Sequence, residues 1–307
     1  MKIYKYLNFQ DGLKTLSNNN VLLNNPINYN DPFDCVIKPS KKDEDECYKR
    51  ILRYYLFKEF SNIILEKKVK IPFCLLWVRW LMKIFKKMVK KVPYYDGMPM
   101  FDSISDLIIE KYSETNEDFK QNLTTNQIKF SKEIRNTIDE IKEMLLVSCF
   151  SKKYDSILMW SHYGDKHRGL CIEFEVDSDD FKEVIYAKKR KQIDLKAITA
   201  VVLGYDFIGE KVSKDNKKIL KEISKLLFTK YKDWEYESEL RVVHSIKDCD
   251  GESIFKKDER YFLKMPKINK VYVGCKANDD DINNLKQDFP NIEIVVLKDS
   301  EKEFAIM

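Results

Sequence analysis

The distribution of hydrophobic periodicity along the chain constrains its fold most strongly. Short apolar runs typical of buried strands lie near both ends, at residues 2–7, 145–151 and 239–244. Residues 43–144, between the first two, carry apolar side chains at helical spacing. Because strands from distant parts of a chain can pair in one sheet, this order predicts an α+β fold. We expect one mixed sheet domain built from both ends of the chain, with a largely helical insertion at about 41–140.

The remaining elements follow from the same patterns, and we interpret residues 1–307 as a single domain. The predicted helices are residues 10–17, 210–232 and 279–287, and the predicted strands are residues 21–23, 169–174, 184–186, 259–263, 270–274 and 292–297. The turn-rich segment 24–34 contains Asn-Pro and Asp-Pro steps, which are typical of turns.

Composition limits the class of protein. Apolar residues make up 44% of the chain and aromatic residues 13%, which is enough for a packed core and argues against disorder. The net charge of +5 is too small to indicate nucleic-acid binding by itself. The N-terminus lacks the apolar run of a signal peptide, and the most apolar stretch, residues 71–85, is interrupted by Arg79 and Lys83. These features predict a soluble, cytoplasmic protein without a transmembrane segment.

The cysteines indicate a reducing compartment. There are seven, an odd number, and none forms a Cys-x-x-Cys pair. Several lie in apolar runs, so we interpret them as reduced core thiols and expect no metal site of the zinc type. The chain also lacks a phosphate loop, a dinucleotide-binding glycine motif and a Gly-x-Ser-x-Gly elbow.

Three clusters of polar and aromatic residues could form a site. In Asn30-Asp31-Pro32-Phe33-Asp34, two carboxylates and an amide flank a proline; they either cap a turn or contact a substrate or cation. The second cluster comprises Ser148-Cys149-Phe150-Ser151 and residues 159–169, where two of the three histidines lie beside Trp160 and Tyr163. If Trp160, Tyr163 and His167 share one side of a helix, they form either part of a core or a pocket for a flat ring.

The third cluster is Trp234-Glu235-Tyr236-Glu237-Ser238-Glu239-Leu240-Arg241. On a strand, Glu237, Glu239 and Arg241 would share one face. They could form a solvated edge with an ion pair, but two crowded carboxylates also tend to raise one pKa, which suits acid–base work. A separate basic aromatic segment, residues 73–91, could pack as a helix with a basic solvent face or contact a membrane surface or a nucleic-acid backbone.

Taken together and in this order, the clusters resemble a bacterial family known as domain-of-unknown-function family 2971. The matching motifs are Tyr4-Lys5-Tyr6, Asn30-Asp31-Pro32-Phe33-Asp34, Ser148-Cys149-Phe150-Ser151, Met159-Trp160-Ser161-His162-Tyr163, His167-Arg168-Gly169, Glu173-Phe174, residues 234–241 and Val271-Tyr272-Val273-Gly274. The resemblance spans nearly the whole chain except residues 41–140. It implies an intracellular bacterial protein, in a phage-defence or abortive-infection setting, and carries no settled reaction.

The order of a short first strand, a serine-bearing strand and a Glu-x-Glu strand also resembles mono-ADP-ribosyltransferases. This resemblance implies NAD as cofactor and a protein or nucleic-acid acceptor. Glu239 would hold the nicotinamide-ribose hydroxyl and stabilise the oxocarbenium-like state, and Glu237 would contact the acceptor. Ser148 and Ser151 would support the site. The chain departs from that pattern at Lys5, where the superfamily has Arg or His, and at the Cys-Phe pair between the serines.

The candidate site follows from these clusters and resemblances, with a nucleotide-type small molecule as the expected ligand. The candidate catalytic residues are Glu239, Glu237 and His162, and the candidate substrate-binding residues are Tyr4, Lys5, Tyr6, Asn30, Asp31, Phe33, Asp34, Ser148, Ser151, Trp160, Tyr163, His167, Arg168, Trp234 and Arg241.

Two other functions remain open at this point. One is a metal-dependent hydrolase or nuclease that holds a divalent ion with oxygen ligands. It would use Asp31, Asp34, His162, His167 and Glu239. The other is a non-catalytic sensor that binds a nucleotide or a protein partner and signals through the helical insertion.

Overall fold

The computed structural model describes residues 1–36, 38–65, 99–177, 179–191, 225–300 and 305–306. The chain divides into two compact units. The first, here called the sheet unit, comprises residues 1–36, 141–190 and 227–307. The second, the helical unit, comprises residues 37–140 and 191–226.

The secondary structure is mixed, as the hydrophobic periodicity predicts. The described helices are α1 Phe9–Asn18, α2 Lys41–Leu65, α3 Pro99–Thr115, α4 Glu117–Glu143, α5 Ile157–His162 and α6 Asp279–Asp288. The described strands are β1 Lys2–Leu7, β2 Asn20–Leu23, β3 Leu145–Ser151, β4 Leu170–Glu175, β5 Lys182–Glu183, β6 Ile185–Ala187, β7 Thr229–Tyr231, β8 Glu239–Ser245, β9 Ile254–Lys257, β10 Arg260–Lys264, β11 Lys270–Val273 and β12 Glu293–Val296.

A seven-stranded sheet organises the sheet unit. Its order is β12-β11-β4-β1-β3-β8-β5, so strands from both ends of the chain are neighbours. β11 and β12 pair in parallel, and the other neighbours pair antiparallel. A three-stranded sheet, β2-β10-β9, and a two-stranded sheet, β6-β7, complete the unit. The prediction of an α+β fold with one large mixed sheet is confirmed.

Each face of the large sheet carries its own core, because side chains alternate along each strand. On one face, Ile3, Phe150 and Leu240 lie in a large aliphatic core. On the other face, Tyr4 and Tyr6 pack with residues that include the fully buried Trp160 of α5. Burying a tryptophan contributes several kcal/mol in typical cores, so the second core is a substantial part of the fold rather than a surface patch.

Asparagine and serine side chains fix the ends of the two short helices beside the sheet. The Asn8 side chain accepts a hydrogen bond from the backbone N–H of Asp11, which caps the start of α1. Asn19 ends α1 in the left-handed conformation, at φ 51°. Ser156 caps α5 by accepting from the N–H of Met159. These caps set where β2 begins and where α5 follows β3.

Internal ion pairs and ring contacts hold the described part of the helical unit. Arg135 on α4 donates two hydrogen bonds of 2.8 Å to the carboxylate of Glu44 on α2. Glu44 itself is buried. The rings of Tyr48 and Phe130 lie 5.5 Å apart, centroid to centroid. Apart from Asn116, which separates α3 from α4, the described residues between 41 and 140 are helical, as predicted.

Two sequence predictions differ from the structure. The helix predicted for residues 210–232 is wrong at its end, because Thr229–Tyr231 forms β7 and pairs with β6; residues 210–224 lie outside the described residues. The strand predicted for residues 239–244 is confirmed as β8, but Glu237 lies outside it, so the expected strand face shared by Glu237 and Glu239 is wrong. Lys232–Glu237 instead forms a 3-10 helix that ends at Ser238, whose φ of 45° breaks the extended backbone.

The basic aromatic segment, residues 73–91, also lies outside the described residues. Among the helices that the structure describes, none is long and apolar enough to cross a bilayer.

Candidate functional site

The site begins where β1 and β3 separate within the large sheet. β1 pairs with β4 along all six of its residues, whereas its register with β3 is confined to Tyr4 and Ser151. Beyond that pair, the Lys5 ammonium donates to the Cys149 carbonyl oxygen at 2.8 Å and to Ser148 Oγ at 2.9 Å. The Lys5 side chain thus supplies hydrogen bonds to β3 where the backbones of β1 and β3 no longer pair. Burial lowers the pKa of Lys5.

A cavity of about 220 Å³ opens at this separation. Pockets that enclose drug-sized ligands are roughly 300–1,000 Å³, so this cavity accommodates one ring-sized group rather than an entire dinucleotide. Its walls come from β1, β3, the turn segment before α2, α5 and the segment that leads into β8.

A cluster of five buried charged side chains lies along one wall, and we call it the charge cluster. It consists of Asp34, Lys230, Glu237, Glu239 and Arg241. The Lys230 ammonium contacts all three carboxylates: Glu237 Oε2 at 2.6 Å, Glu239 Oε2 at 3.3 Å and Asp34 Oδ2 at 3.6 Å. These carboxylates outweigh burial and raise the pKa of Lys230, so the lysine stays charged.

Arg241 anchors the charge cluster from beneath the cavity. It is fully buried, and its guanidinium donates hydrogen bonds of 2.6 Å to Glu239 Oε1 and 3.0 Å to Glu239 Oε2. A third bond of 2.7 Å reaches Asp34 Oδ2, and a fourth of 2.6 Å reaches the Leu227 carbonyl oxygen. Cys35 Sγ accepts the fifth at 3.0 Å. All the contacts that a buried guanidinium requires are therefore supplied by the protein.

Glu237 differs from Glu239 in how firmly its charge is held. One Glu237 oxygen accepts from the Tyr163 hydroxyl at 2.7 Å and the other from Lys230. Burial raises the pKa of Glu237 to about 6, the nearby Glu239 carboxylate adds to the rise, and Lys230 opposes it. The pKa of Glu237 therefore lies closer to neutral pH than that of an ordinary carboxyl group.

Glu239 is held ionised. Burial opposes its charge, but the Arg241 guanidinium and then Lys230 outweigh burial, and the pKa of Glu239 is lowered to about 2. Its backbone N–H donates to the Tyr186 hydroxyl at 2.8 Å. The two carboxylates share one ammonium and yet titrate far apart, an arrangement common in acid–base sites.

The structure brings many of the sequence-predicted residues together. The cavity is lined by Tyr4, Lys5, Tyr6, Asn30, Asp34, Ser148, Ser151, Tyr163, Glu237 and Glu239. Arg241 contacts two of these carboxylates from behind. Ser151 Oγ donates to the Glu237 carbonyl oxygen at 2.7 Å and so ties β3 to the turn before β8.

Other predicted residues lie away from the cavity lining. Asp31 accepts from the backbone N–H of Phe33 and caps a turn, and Phe33 is 67% exposed beside Arg190. Trp160 belongs to the second core, with its ring edge-on to Tyr6. Trp234 lies beneath the Lys230 ammonium at 4.7 Å.

The histidines and Arg168 also lie apart from the lining. His162 is exposed and its ring is 6.1 Å from that of Tyr236. α5 ends at His162, so His167 does not share a helix with Trp160 and Tyr163 as predicted. His167 instead lies in a left-handed turn, and its Nε2 is 2.9 Å from Ser161 Oγ. The exposed Arg168 pairs with Asp165.

Sequence reasoning missed Lys230 and Tyr29. Lys230 falls in the region predicted as a helix, where a lysine indicates only a solvent face, and strand pairing with β6 is what turns it inward. Tyr29 lines the cavity and its hydroxyl lies 3.5 Å from Cys149 Sγ. An aromatic residue inside the Asn- and Pro-rich segment 24–34 was the one available signal.

The metal-dependent alternative finds no support in the part of the chain that the structure describes. Within it, no group of three or more His, Cys, Asp or Glu side chains is arranged to hold a metal ion. The predicted ligands Asp34 and Glu239 are both engaged by Arg241, and Lys230 lies against both. Protein cations occupy the positions beside these carboxylates.

Comparison with known proteins matches part of the chain to a family model. No curated protein and no solved structure matches the chain significantly, so the resemblance to mono-ADP-ribosyltransferases is not supported. Residues 159–242 match the model of a family described as "Protein of unknown function (DUF2971)". That segment contains four members of the charge cluster, Lys230, Glu237, Glu239 and Arg241, together with Tyr163. Over the segment that supplies four of the five charge-cluster residues, the chain is therefore similar to a family whose function is not established.

Proposed function

We propose that the cavity is the active site of an enzyme that breaks an N-glycosidic bond of a nucleotide-type substrate, with NAD as the first candidate. One observation carries this proposal. Two buried carboxylates beside the same cavity contact the same ammonium, yet their surroundings lower the pKa of Glu239 to about 2 and raise the pKa of Glu237 to about 6. Glycoside cleavage commonly uses two carboxyl groups with such divided roles.

The chemistry assigns one role to each carboxylate. As the bond between C1′ of the sugar and the ring nitrogen breaks, its electron pair goes to the nitrogen and positive charge develops on the sugar. Glu239, held ionised, stabilises that charge. Water or an acceptor hydroxyl then forms the new bond to C1′, and its proton goes to Glu237, whose proton affinity suits a general base near neutral pH.

The remaining cluster residues position these two. Lys230 and Tyr163 hold the Glu237 carboxylate between them, and Arg241 fixes the orientation of Glu239. Locking the geometry of catalytic groups in this way reduces the reorganisation needed during reaction. An acceptor other than water, either a protein or a nucleic acid, would make the enzyme a transferase.

The direct test is release of nicotinamide from NAD by the purified full chain. Glu239→Gln should reduce the rate on the order of a hundredfold or more, because it removes charge stabilisation in the transition state. Glu235→Gln is the matched control, since Glu235 is an exposed carboxylate in the same 3-10 helix. Circular dichroism of each variant separates a lost activity from a lost fold.

Two outcomes would contradict the proposal. If the wild type releases no nicotinamide and calorimetry detects no NAD binding, the NAD assignment fails. If NAD binds without turnover and Glu239→Gln leaves binding unchanged, the non-catalytic sensor replaces the enzyme.

The cellular setting that we propose is intracellular antiviral defence in a bacterium, which is the setting that the resemblance of the sequence motifs implies. Phage challenge of cells that express either the wild type or Glu239→Gln tests it. Protection by the wild type alone is the expected result.

A further inference from the structure

The lining of the cavity combines aromatic residues with several carboxylates. Among the described residues, the aromatic residues that line the cavity are Tyr4, Tyr6, Tyr29, Phe150 and Tyr163, although the Phe150 side chain packs in the aliphatic core on the other face of the sheet. The charge cluster places three carboxylates, Asp34, Glu237 and Glu239, against two cations, Lys230 and Arg241. We infer that this cavity selects a positively charged flat ring, such as an N-alkylpyridinium, over a neutral ring of the same shape.

The charge balance favours a cation beside the cluster. Within the charge cluster, three carboxylates against two protein cations leave one negative charge when Glu237 is ionised. Lys5, a further basic side chain in the cavity lining, donates its hydrogen bonds to neutral oxygens instead of these carboxylates. All five side chains are buried, so bulk solvent screens that charge weakly. A cationic ligand group beside Glu237 restores neutrality, which a neutral ring does not.

The aromatic residues that line the cavity also favour a cationic ligand. Three of the tyrosine hydroxyls already have a protein partner: Tyr6 donates to the Lys153 carbonyl oxygen, Tyr163 donates to Glu237, and Tyr29 contacts Cys149 Sγ. Because these hydroxyls are already paired, we expect a ligand to contact the rings of these tyrosines more than their hydroxyl groups. Aromatic side chains attract cations through the negative face of the ring, and several together form the cages that recognise quaternary nitrogen.

The position of Lys5 is compatible with a ligand that is positive at one end only. Lys5 belongs to the opposite face of β1 from Tyr4 and Tyr6, and its ammonium lies 5.0 Å from the Phe150 ring centroid. Its hydrogen-bond partners are the neutral oxygens of Ser148 and Cys149. A ligand with a cationic ring at the carboxylate wall and an anionic group toward Lys5 satisfies both ends.

This inference rests on the proposed function only in taking the cavity as the substrate site, and it is tested without turnover. Isothermal titration calorimetry at neutral pH compares 1-methylnicotinamide, a pyridinium cation, with neutral nicotinamide on the full chain. We expect the cation to bind roughly tenfold more tightly or better, as charge and ring contacts combine. Equal affinity, tighter binding of nicotinamide, or no binding of either probe would overturn the inference.

Two matched variants separate the two sources of selectivity. Glu237→Gln keeps the shape of the side chain and removes its charge, so it should weaken binding of the cation alone. Tyr29→Leu should do the same by removing a ring, whereas Tyr29→Phe, which keeps the ring, should retain the preference for the cation over nicotinamide. If Tyr29→Phe and Tyr29→Leu lose the same amount of affinity for the cation, the Tyr29 ring contributes nothing, and recognition of the cation by aromatic rings is refuted.

The two proposals fail separately. A preference for the cation without nicotinamide release from NAD would leave the cavity as a cation-binding site and remove the catalytic proposal. Nicotinamide release without that preference would keep the catalytic proposal and remove the cage.

Discussion

Replacing Arg241 by methionine tests whether the charge cluster is the structural basis of the site. Methionine matches much of the aliphatic stem and removes the guanidinium. The change leaves Asp34 and Glu239 buried beside a single remaining cation, Lys230. Removing one partner of a buried ion pair costs about 3–5 kcal/mol. Because Lys230 still contacts both carboxylates, we expect a loss near the lower end, about 3 kcal/mol.

The pH dependence of this loss follows from Glu239. In the wild type its pKa is lowered, so its contribution to stability is present above the ordinary carboxyl pKa and is lost as pH falls through the low folded value. Without Arg241 that pKa is no longer held down, and Glu239 can take up a proton in the folded variant. The difference in unfolding free energy between the wild type and Arg241→Met should therefore be largest near about pH 7 and become smaller toward about pH 4.

Native-state hydrogen exchange of β3 and β8 amides is the suitable assay, because it reports on the sheet unit by itself. Arg241→Lys is the matched control: it keeps the charge but loses the forked geometry, so an intermediate loss is expected. Adding Glu239→Gln to Arg241→Met should recover part of the stability, since it removes the buried carboxylate charge that has lost its guanidinium partner. A loss below about 1 kcal/mol in Arg241→Met, with no dependence on pH, would refute the argument.

Three further predictions concern the proposed activity and the packing. The kcat/KM for nicotinamide release should rise with pH through about 6 as Glu237 ionises, and this limb should disappear from the pH profile of Glu237→Gln. Tyr163→Phe removes a hydrogen bond that lowers the pKa of Glu237, so the same limb should move to higher pH while the circular dichroism spectrum stays unchanged. Gly274→Ala would place a methyl group 2.2 Å from the backbone oxygen of His167, so chemical denaturation should show a loss of about 1–3 kcal/mol or more; unchanged stability would contradict that packing.

Local patterns in the sequence predict much of the fold because they report on burial directly. The apolar run at 145–151 and the segment that begins at Glu239 became β3 and β8, neighbours in the large sheet, since each alternates or buries side chains as a strand requires. The helical spacing between 41 and 140 likewise matches the described helices there. Prediction failed at residues 229–231, where a three-residue strand is too short to leave a periodic signal.

The candidate site was predictable as a set of residue types and not as a geometry. The sequence places Glu237 and Glu239 two positions apart, which suggests a shared strand face. In the structure the two residues do not share a strand face, because Glu237 ends a 3-10 helix and Ser238 adopts a left-handed conformation. Their carboxylates lie close together because both contact the Lys230 ammonium.

By itself, the sequence determined the fold class, the order of the elements and the clusters in which polar and aromatic residues concentrate, because these depend on neighbours along the chain. Only the tertiary structure decided which charges meet. Asp34 and Arg241 are 207 positions apart and bond at 2.7 Å, and Lys230 turns inward through its pairing with β6. A buried charge is stable only where distant segments surround it with partners, and hydrophobic periodicity carries no record of that arrangement.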